Sequence, residues 1–545
     1  MRDQGLGSWP ARRARMTPGQ TALVQADVTE TYAELAENTT RVAHGLAARG
    51  VGRGDRVAFL GLNSVELVEA MFATAKLGAV FLPLNTRLAP PEIAYILADS
   101  GAKLLIAAPG FDSVAGAPEI SRLPLDLIPA HAVSRGGADG LRSEQAAPLD
   151  LPIGHDDLFM IQYTSGTTGR PKGVMLTHGN IIWNVYNLLV DVDIRSDEVA
   201  LVTAPLFHTA ALNQVLFPTL LKGGTALIEA KFDPDRAIEL IEEHGVTLLF
   251  GVTSMYLALT QSARWPDATM STLRSALSGG APLPVSLLQA YLDHGLMIVQ
   301  GYGLTEASPG ATMLRAADGV RKIGSAGTAC FFTDVRVVTP DLADVAAGEK
   351  GEVLVQGPNV TPGYWQQPAA TQAAFAGDGW LRTGDLAQVD DEGYLYIVDR
   401  LKDMIISGGE NVYPAEVEEA LYTHPAVAEC AVIGVPDARW GEVARAVVVR
   451  RGGHQVTEAE LIAHLDGRLA RYKIPKTVVF TDALPHTASG KILKPDIRQK
   501  YAAPREGLSP APASPQDIPD ATTSAVTGDG NTQSVRDLPD PFPNE

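Results

Sequence analysis

The 545-residue chain has very little cysteine: Cys330 and Cys430 are its only two, far apart and in unrelated settings. That excludes a disulfide framework and a cysteine-based metal site, and fits a reducing cytoplasm. No uninterrupted apolar run approaches the roughly 18–20 residues of a membrane helix, so stable membrane insertion is not expected. The first ten residues lack an apolar signal core, so export is not expected either; Arg12, Arg13 and Arg15 read as a solvated first helix. Positive charge is also scarce. With 44 Lys and Arg against 63 Asp and Glu, the net charge is −19. That balance argues against general nucleic-acid binding, which needs a basic footprint, and obliges any polyanionic substrate to find local cations.

A hydrophobic content of 46% with 20% charged residues describes a globular chain, and its length exceeds one ordinary core. Up to about residue 400, short apolar runs alternate with helical stretches. Val57–Leu60, Leu104–Ala107 and Val246–Phe250 read as buried strands. A helix carrying Val65, Leu67, Val68, Ala70, Met71 and Phe72 follows the first, and Asp235–His244 leads into the last. This rhythm predicts an α/β architecture with parallel sheet and ligands gathered at strand ends.

Beyond a boundary near Arg400–Asp403 the texture becomes α+β. Pro414–Leu421 reads as a helix, and Cys430–Gly434 and Ala444–Val449 as strands. Thr457 caps a helix through Leu461, Ile462, Leu465 and Leu469, with Glu460 as capping-box partner. The expected division is 1–401, 402–503 and an acidic Pro-rich tail, 504–545, with seven acidic and two basic residues and no hydrophobic period.

The most informative segment is Tyr163–Gly173. Gly166, Gly169 and Gly173 permit close backbone approach, Thr164, Ser165, Thr167 and Thr168 offer hydroxyls, and Arg170 and Lys172 offer charge. Pro171 before Lys172 rules out a Walker A loop, which needs Gly there. A surface loop would explain the composition, but accounts less well for the strand-like Leu158–Tyr163 and Gly173–Leu176 around it. Four weaker segments carry chemistry: Gln300–Glu306, Thr383–Asp385, Asp399–Asn411 and His486–Lys491.

In this order the five segments closely resemble the adenylate-forming superfamily: acyl-CoA synthetases, peptide-forming adenylation domains and beetle luciferases. The likeness runs from about residue 20 to 500. It implies a large N-terminal domain of two sheet-and-helix subdomains plus a distorted β-barrel, and a small mobile α+β C-terminal domain. It implies that ATP and Mg²⁺ convert a carboxylate to acyl-adenylate and pyrophosphate, after which the thiol of coenzyme A captures the acyl group.

Carried over by residue, the likeness assigns Thr164, Ser165, Gly166, Thr167, Thr168, Gly169 and Lys172 to the β- and γ-phosphates. Tyr302, between Gly301 and Gly303, stacks on adenine, and Ser278–Pro282, with Gly279, Gly280 and Ala281, lines the base and adenylate. Thr305 touches phosphate, Glu306 holds Mg²⁺, Asp385 accepts from the ribose hydroxyls, and Arg400 adds a cation beside them. Lys491 bridges the attacking carboxylate and the α-phosphate, where two anions must meet. Lys402 matches a hinge, although many relatives carry Asp there. Gly408 and Gly409 suit a tunnel wall, His208 a gate beside the acyl carboxylate, and Trp440 either borders the CoA arm or sits in a core.

The segment Ala204–Asn213 has no acid to hold a substrate ammonium, which disfavours amino acids. Coumarate-type ligases place a ring-stacking Tyr where this chain has Ala210, so a bulkier or longer acid is expected: a medium- or long-chain fatty acid or a polycyclic or aryl acid. Met255, Tyr256, Val215, Thr312 and Met313 are the candidate pocket lining. A ligase loading a carrier protein, a non-catalytic acyl- or nucleotide-binding scaffold, and a homodimer stay open.

Overall fold

The computed structural model describes residues 2–136, 140–164, 171–281, 283–407, 410–437, 440–466, 468–487 and 490–502. The predicted tail, and the sites expected at Ser165, Gly166, Thr167, Thr168, Gly169, Gly408 and Gly409, lie outside these residues.

Two sheets carry the α/β part. In the larger, Ile298–Gly303, Ser275–Gly279, Leu248–Gly251, Val199–Val202, Thr225–Ile228 and Thr21–Gln25 run parallel in that spatial order, with antiparallel strands at both edges. In the smaller, Asp126–Pro129, Leu104–Ala107, Arg56–Leu60, Val80–Leu84 and Leu158–Thr164 are parallel, and Lys172–Thr177 closes it antiparallel. These strands read as continuous apolar runs because helices bury both sheet faces.

The helix Val65–Lys76 starts where Ser64 accepts from the Leu67 amide, and even Glu69 and Lys76 on it are buried. Pro234–His244 is capped by Asp233 and stopped by left-handed Gly245. The strand expected at Val246 begins only at Leu248, because the Val246 amide is spent closing that helix on the Ile241 carbonyl.

The part expected as a barrel is, among the described residues, a four-stranded antiparallel sheet of Asp334–Val338, Lys350–Gln356, Leu381–Val389 and Leu395–Arg400. Its core of Val337, Val353, Val355, Ala387 and Leu395 packs on Ala307 and Ala311, with Tyr302 and Leu304 against it. That packing brings the third sheet to the strand ends of the first.

After the turn at Leu401–Asp403, Glu410–Val412, Ile405–Ser407, Gly441–Arg450 and Val427–Asp437 form a sheet, with Thr477–Thr481 parallel to Gly441–Arg450. It has its own core of Val417, Leu421, Val432, Val448, Leu461 and Leu465. The capping box of Thr457 and Glu460 forms as predicted, but the helix ends at Leu465 and Leu469 lies beyond it. Asp466 turns extended there, so four apolar residues at helical spacing overstated the helix by one turn.

Candidate active site

The parallel register sets Ser278 beside Gln300 and Gly279 beside Gly301, so two of the sequence motifs meet at neighbouring strand ends. Gly279, Gly301 and Gly303 have a packing requirement of their own. A methyl at Gly279 would lie 3.2 Å from the Gly301 carbonyl, one at Gly301 3.1 Å from that of Thr312, and one at Gly303 would run into that of Pro309. The side chains of Ser278 and Gln300 each keep a buried polar atom, Oγ and Nε2, without a hydrogen-bond partner among the described residues. Buried polar atoms of this kind are ordinarily satisfied, so a ligand's polar groups suit this rim.

Tyr302 leaves the same strand and donates its hydroxyl to Asp385 Oδ2 at 2.7 Å. Asp385 pairs across the third sheet with Arg400, whose Nε lies 3.2 Å from Oδ1. Burial and the Asp385 charge hold the Tyr302 phenol well above its usual range. Thr305 and Glu306 follow in a short 3₁₀ turn. Burial raises the Glu306 carboxyl, although Tyr364 donates to its Oε1 at 3.0 Å.

The hairpin of the second sheet sets Thr164 opposite Lys172 at the base of the predicted phosphate loop. Lys172 Nζ lies 5.2 Å from the centre of the Tyr364 ring, so Tyr364 stands between this cation and Glu306. No sequence motif singled out Tyr364. The signal available was Gly363–Tyr364–Trp365, whose glycine has φ 139° and no room for a side chain against Thr371.

Lys491 arrives from the far side of the chain on a turn closed by Thr487, whose amide donates to the Lys491 carbonyl at 2.6 Å and whose Oγ1 accepts from the Lys491 amide at 3.0 Å. A methyl on Gly280, which has φ 92°, would lie 2.9 Å from Lys491 Cε and 3.5 Å from Nζ. Burial, then the Arg400 charge, lowers the Lys491 ammonium to about 8, against the pull of Asp385 and Glu306. Lys491, Arg400, Asp385 and Glu306 therefore share one electrostatic environment.

Beside them is a cavity of about 600 Å³. Phe207, His208, Ala210, Phe250, Val252 and Met255 form much of its wall, and Arg87 and Gly490 also line it. Burial, then Lys491 and Arg87, lowers His208 to about 4, so its imidazole is neutral near pH 7. His208 Nε2 is buried and has no hydrogen-bond partner among the described residues. The chain after His208 passes through a π-helical turn, Leu212–Leu216, which re-aims this segment. Of the lining predicted from sequence, only Met255 borders the cavity. Tyr256 instead donates to the Leu277 carbonyl and Thr312 to that of Ala326, and Val215 and Met313 join the main core.

The remaining predicted residues are placed as follows. Lys402 is exposed on the turn between the third and fourth sheets. Ala281 follows Gly280 at the rim. Trp440 is 39% exposed, which removes the core alternative.

Residues 10–365 match the model of the AMP-binding enzyme family, and residues 416–491 that of the AMP-binding enzyme C-terminal domain. The chain belongs to the AMP-binding enzyme family. It is 54% identical over 501 residues to a feruloyl-CoA synthase of Amycolatopsis sp, covering 92% of this chain and 100% of that enzyme. It is 42% identical over 506 residues to the long-chain-fatty-acid–CoA ligase FadD13 of Mycobacterium tuberculosis, covering 92% and 99%. The o-succinylbenzoate coenzyme A synthetase of Bacillus subtilis, solved with ATP and magnesium ion, superposes with TM-score 0.81 at 35% identity, covering 90% and 99%.

Like these AMP-binding enzymes, the chain is an AMP-forming acid–thiol ligase. It uses ATP and Mg²⁺ to convert an acid to acyl-AMP with release of pyrophosphate, then transfers the acyl group to coenzyme A. Among the described residues no cluster of three or more His, Cys, Asp or Glu could hold a metal. A single buried carboxylate with no cation bonded to it among the described residues, as at Glu306, fits Mg²⁺, which takes one or two carboxylates and completes its shell with substrate phosphates and water. Bound there, the ion would neutralise phosphate charge. No helix among the described residues is long and apolar enough to cross a membrane.

Proposed function

We propose that the acid is a ring-substituted arylpropenoic acid of the ferulate class, and that the cavity lined by His208 receives it. The observation that carries this reading is the juxtaposition of Lys491, Glu306, Asp385 and Arg400 with an apolar cavity whose wall includes Ala210. The full-length likeness to a feruloyl-CoA synthase supports it. In this proposal Lys491 neutralises the meeting carboxylate and α-phosphate, and Thr305 and Lys172 contact phosphate. Glu306 holds Mg²⁺, Asp385 the ribose, and Tyr302 the adenine. His208 donates or accepts one hydrogen bond at the carboxylate through Nε2. Lys402 is the hinge between residues 1–401 and 402–503, and Trp440 borders the CoA arm.

A fatty acid is the second reading, favoured by the largely apolar wall. Rates of AMP and thioester formation with ferulate, coumarate and dodecanoate separate the two. Ferulate is expected to have the highest kcat/KM, and a higher value for dodecanoate would overturn the assignment. Ala210→Tyr fills part of the wall, so it is expected to shift the ferulate-to-coumarate kcat/KM ratio toward coumarate by about 10-fold. An unchanged ratio would place Ala210 away from the acyl group.

A cytoplasmic enzyme fits the two cysteines, both free and buried. The homodimer stays a proposal that light scattering tests through the particle mass.

A further inference from the structure

Residues 361–365 are tied on one side to the turn of Glu306 and on the other to the strand of Lys172. The Thr361 amide donates to the Glu306 carbonyl at 2.7 Å, and the Tyr364 hydroxyl donates to Glu306 Oε1 at 3.0 Å. Toward the strand Lys172–Thr177, the Gly363 carbonyl accepts from the Met175 amide at 3.0 Å, and the Trp365 amide donates to the Gly173 carbonyl at 2.7 Å. Thr371 Oγ1 accepts from the Tyr364 amide at 2.9 Å, and Trp365 Nε1 donates to the Asp99 carbonyl at 3.2 Å. Gly363, with φ 139°, has Thr371 where a side chain would stand. The backbone on both sides of Tyr364 is therefore fixed, and with it the place of the ring.

We propose that Tyr364 is a positioning residue whose ring insulates Lys172 from Glu306, so that the cation stays available to phosphate and the carboxylate to the divalent ion. This rests on the roles proposed above for Lys172 and Glu306. Lys172 Nζ lies 5.2 Å from the centre of the ring, and Glu306 accepts from its hydroxyl. Among the described residues neither charge has an oppositely charged partner. A lysine on a flexible four-carbon stem and a carboxylate flanking one ring would gain by pairing if that ring were absent. Such a pair would have to break each time nucleotide and ion bind. The ring prevents it with two contacts that are readily given up. Its face attracts the ammonium weakly, and its hydroxyl gives the carboxylate one hydrogen bond from a neutral donor. Phosphate and a divalent ion each offer a stronger contact.

The test is one of binding and needs no acid, so it stands apart from the ferulate assignment. Calorimetry on the full-length protein follows α,β-methylene-ATP, whose bridging carbon blocks release of pyrophosphate, across a Mg²⁺ titration. In Tyr364→Leu the Kd at saturating Mg²⁺ is expected to rise about 10-fold. About 5-fold is for an ion pair that must break and about 2-fold for the lost hydroxyl. Tyr364→Phe keeps the ring, so only the latter, about 2-fold, is expected. In a Lys172→Gln background there is no cation to insulate, and adding Tyr364→Leu is expected to cost the same 2-fold or so. A 10-fold loss in that background as well would make Tyr364 merely structural and overturn the proposal. A loss in Tyr364→Phe as large as in Tyr364→Leu would reduce Tyr364 to its hydroxyl and overturn it too, as would unchanged binding in Tyr364→Leu. Thermal melts check that Tyr364→Leu folds; if it does not, Tyr364→Met takes its place in the same cycle. A Mg²⁺ dependence that survives Glu306→Gln would remove the metal role of Glu306, and the insulation with it.

Discussion

Lys491→Ala is expected to lower ferulate-dependent pyrophosphate exchange by about 10²–10³-fold while leaving coenzyme A capture of supplied feruloyl-adenylate near its normal rate. The size follows from removing one preorganised cation from a water-poor site where negative charge accumulates. Burial enough to bring the ammonium to about 8 marks the site as water-poor, and Gly280 leaves room beside the side chain, where a methyl would lie 2.9 Å from Lys491 Cε. A bulky residue at Gly280 is expected to reproduce the defect, because its side chain would occupy the place of Lys491 Cε. Loss of both half-reactions together in Lys491→Ala would mean that the lysine holds the fold and not the first step.

Asp385→Asn is expected to raise the KM for ATP by about 10–100-fold and to move the pH profile of adenylation. Asp385 is the anion between Tyr302 and Arg400, and its charge supports protonated Lys491 while that of Arg400 opposes it. A depressed lysine is charged below its shifted value and neutral above it. Adenylation in the wild type should therefore decline as pH rises through about 8, far below the range of an exposed lysine. Neutralising Asp385 leaves Arg400 uncompensated, so the alkaline limb of kcat/KM should move to lower pH. A limb that stays in place would show that Lys491 does not set it.

The motifs were legible as spaced segments, and the structure draws their residues together from different local settings: Tyr302 near the end of Ile298–Gly303, Glu306 in a 3₁₀ turn, Asp385 within Leu381–Val389 and Lys491 on a loop. Strands such as Leu104–Ala107 were legible as well, because a buried parallel sheet leaves uninterrupted apolar runs. Tyr364 was not legible: an aromatic residue with one polar atom looks like core until its hydroxyl is seen on Glu306. Of the expected pocket lining, Val215 falls in the π-helical turn after His208, while Thr312 donates to the Ala326 carbonyl and Met313 joins the main core. Tyr256 was a candidate for the lining as well, yet its hydroxyl is committed to the Leu277 carbonyl.

The most direct measurement follows the oxygen. With ferulate labelled by ¹⁸O in both carboxylate positions, attack on the α-phosphorus expels pyrophosphate, and thiol attack on the carbonyl then releases AMP carrying one carboxylate oxygen. AMP two mass units heavier than normal, formed one for one with feruloyl-CoA, is the expected result. Unlabelled AMP, or label recovered in inorganic phosphate with ADP as co-product, would contradict an acyl-adenylate formed at the centre of Lys491, Glu306, Asp385 and Arg400.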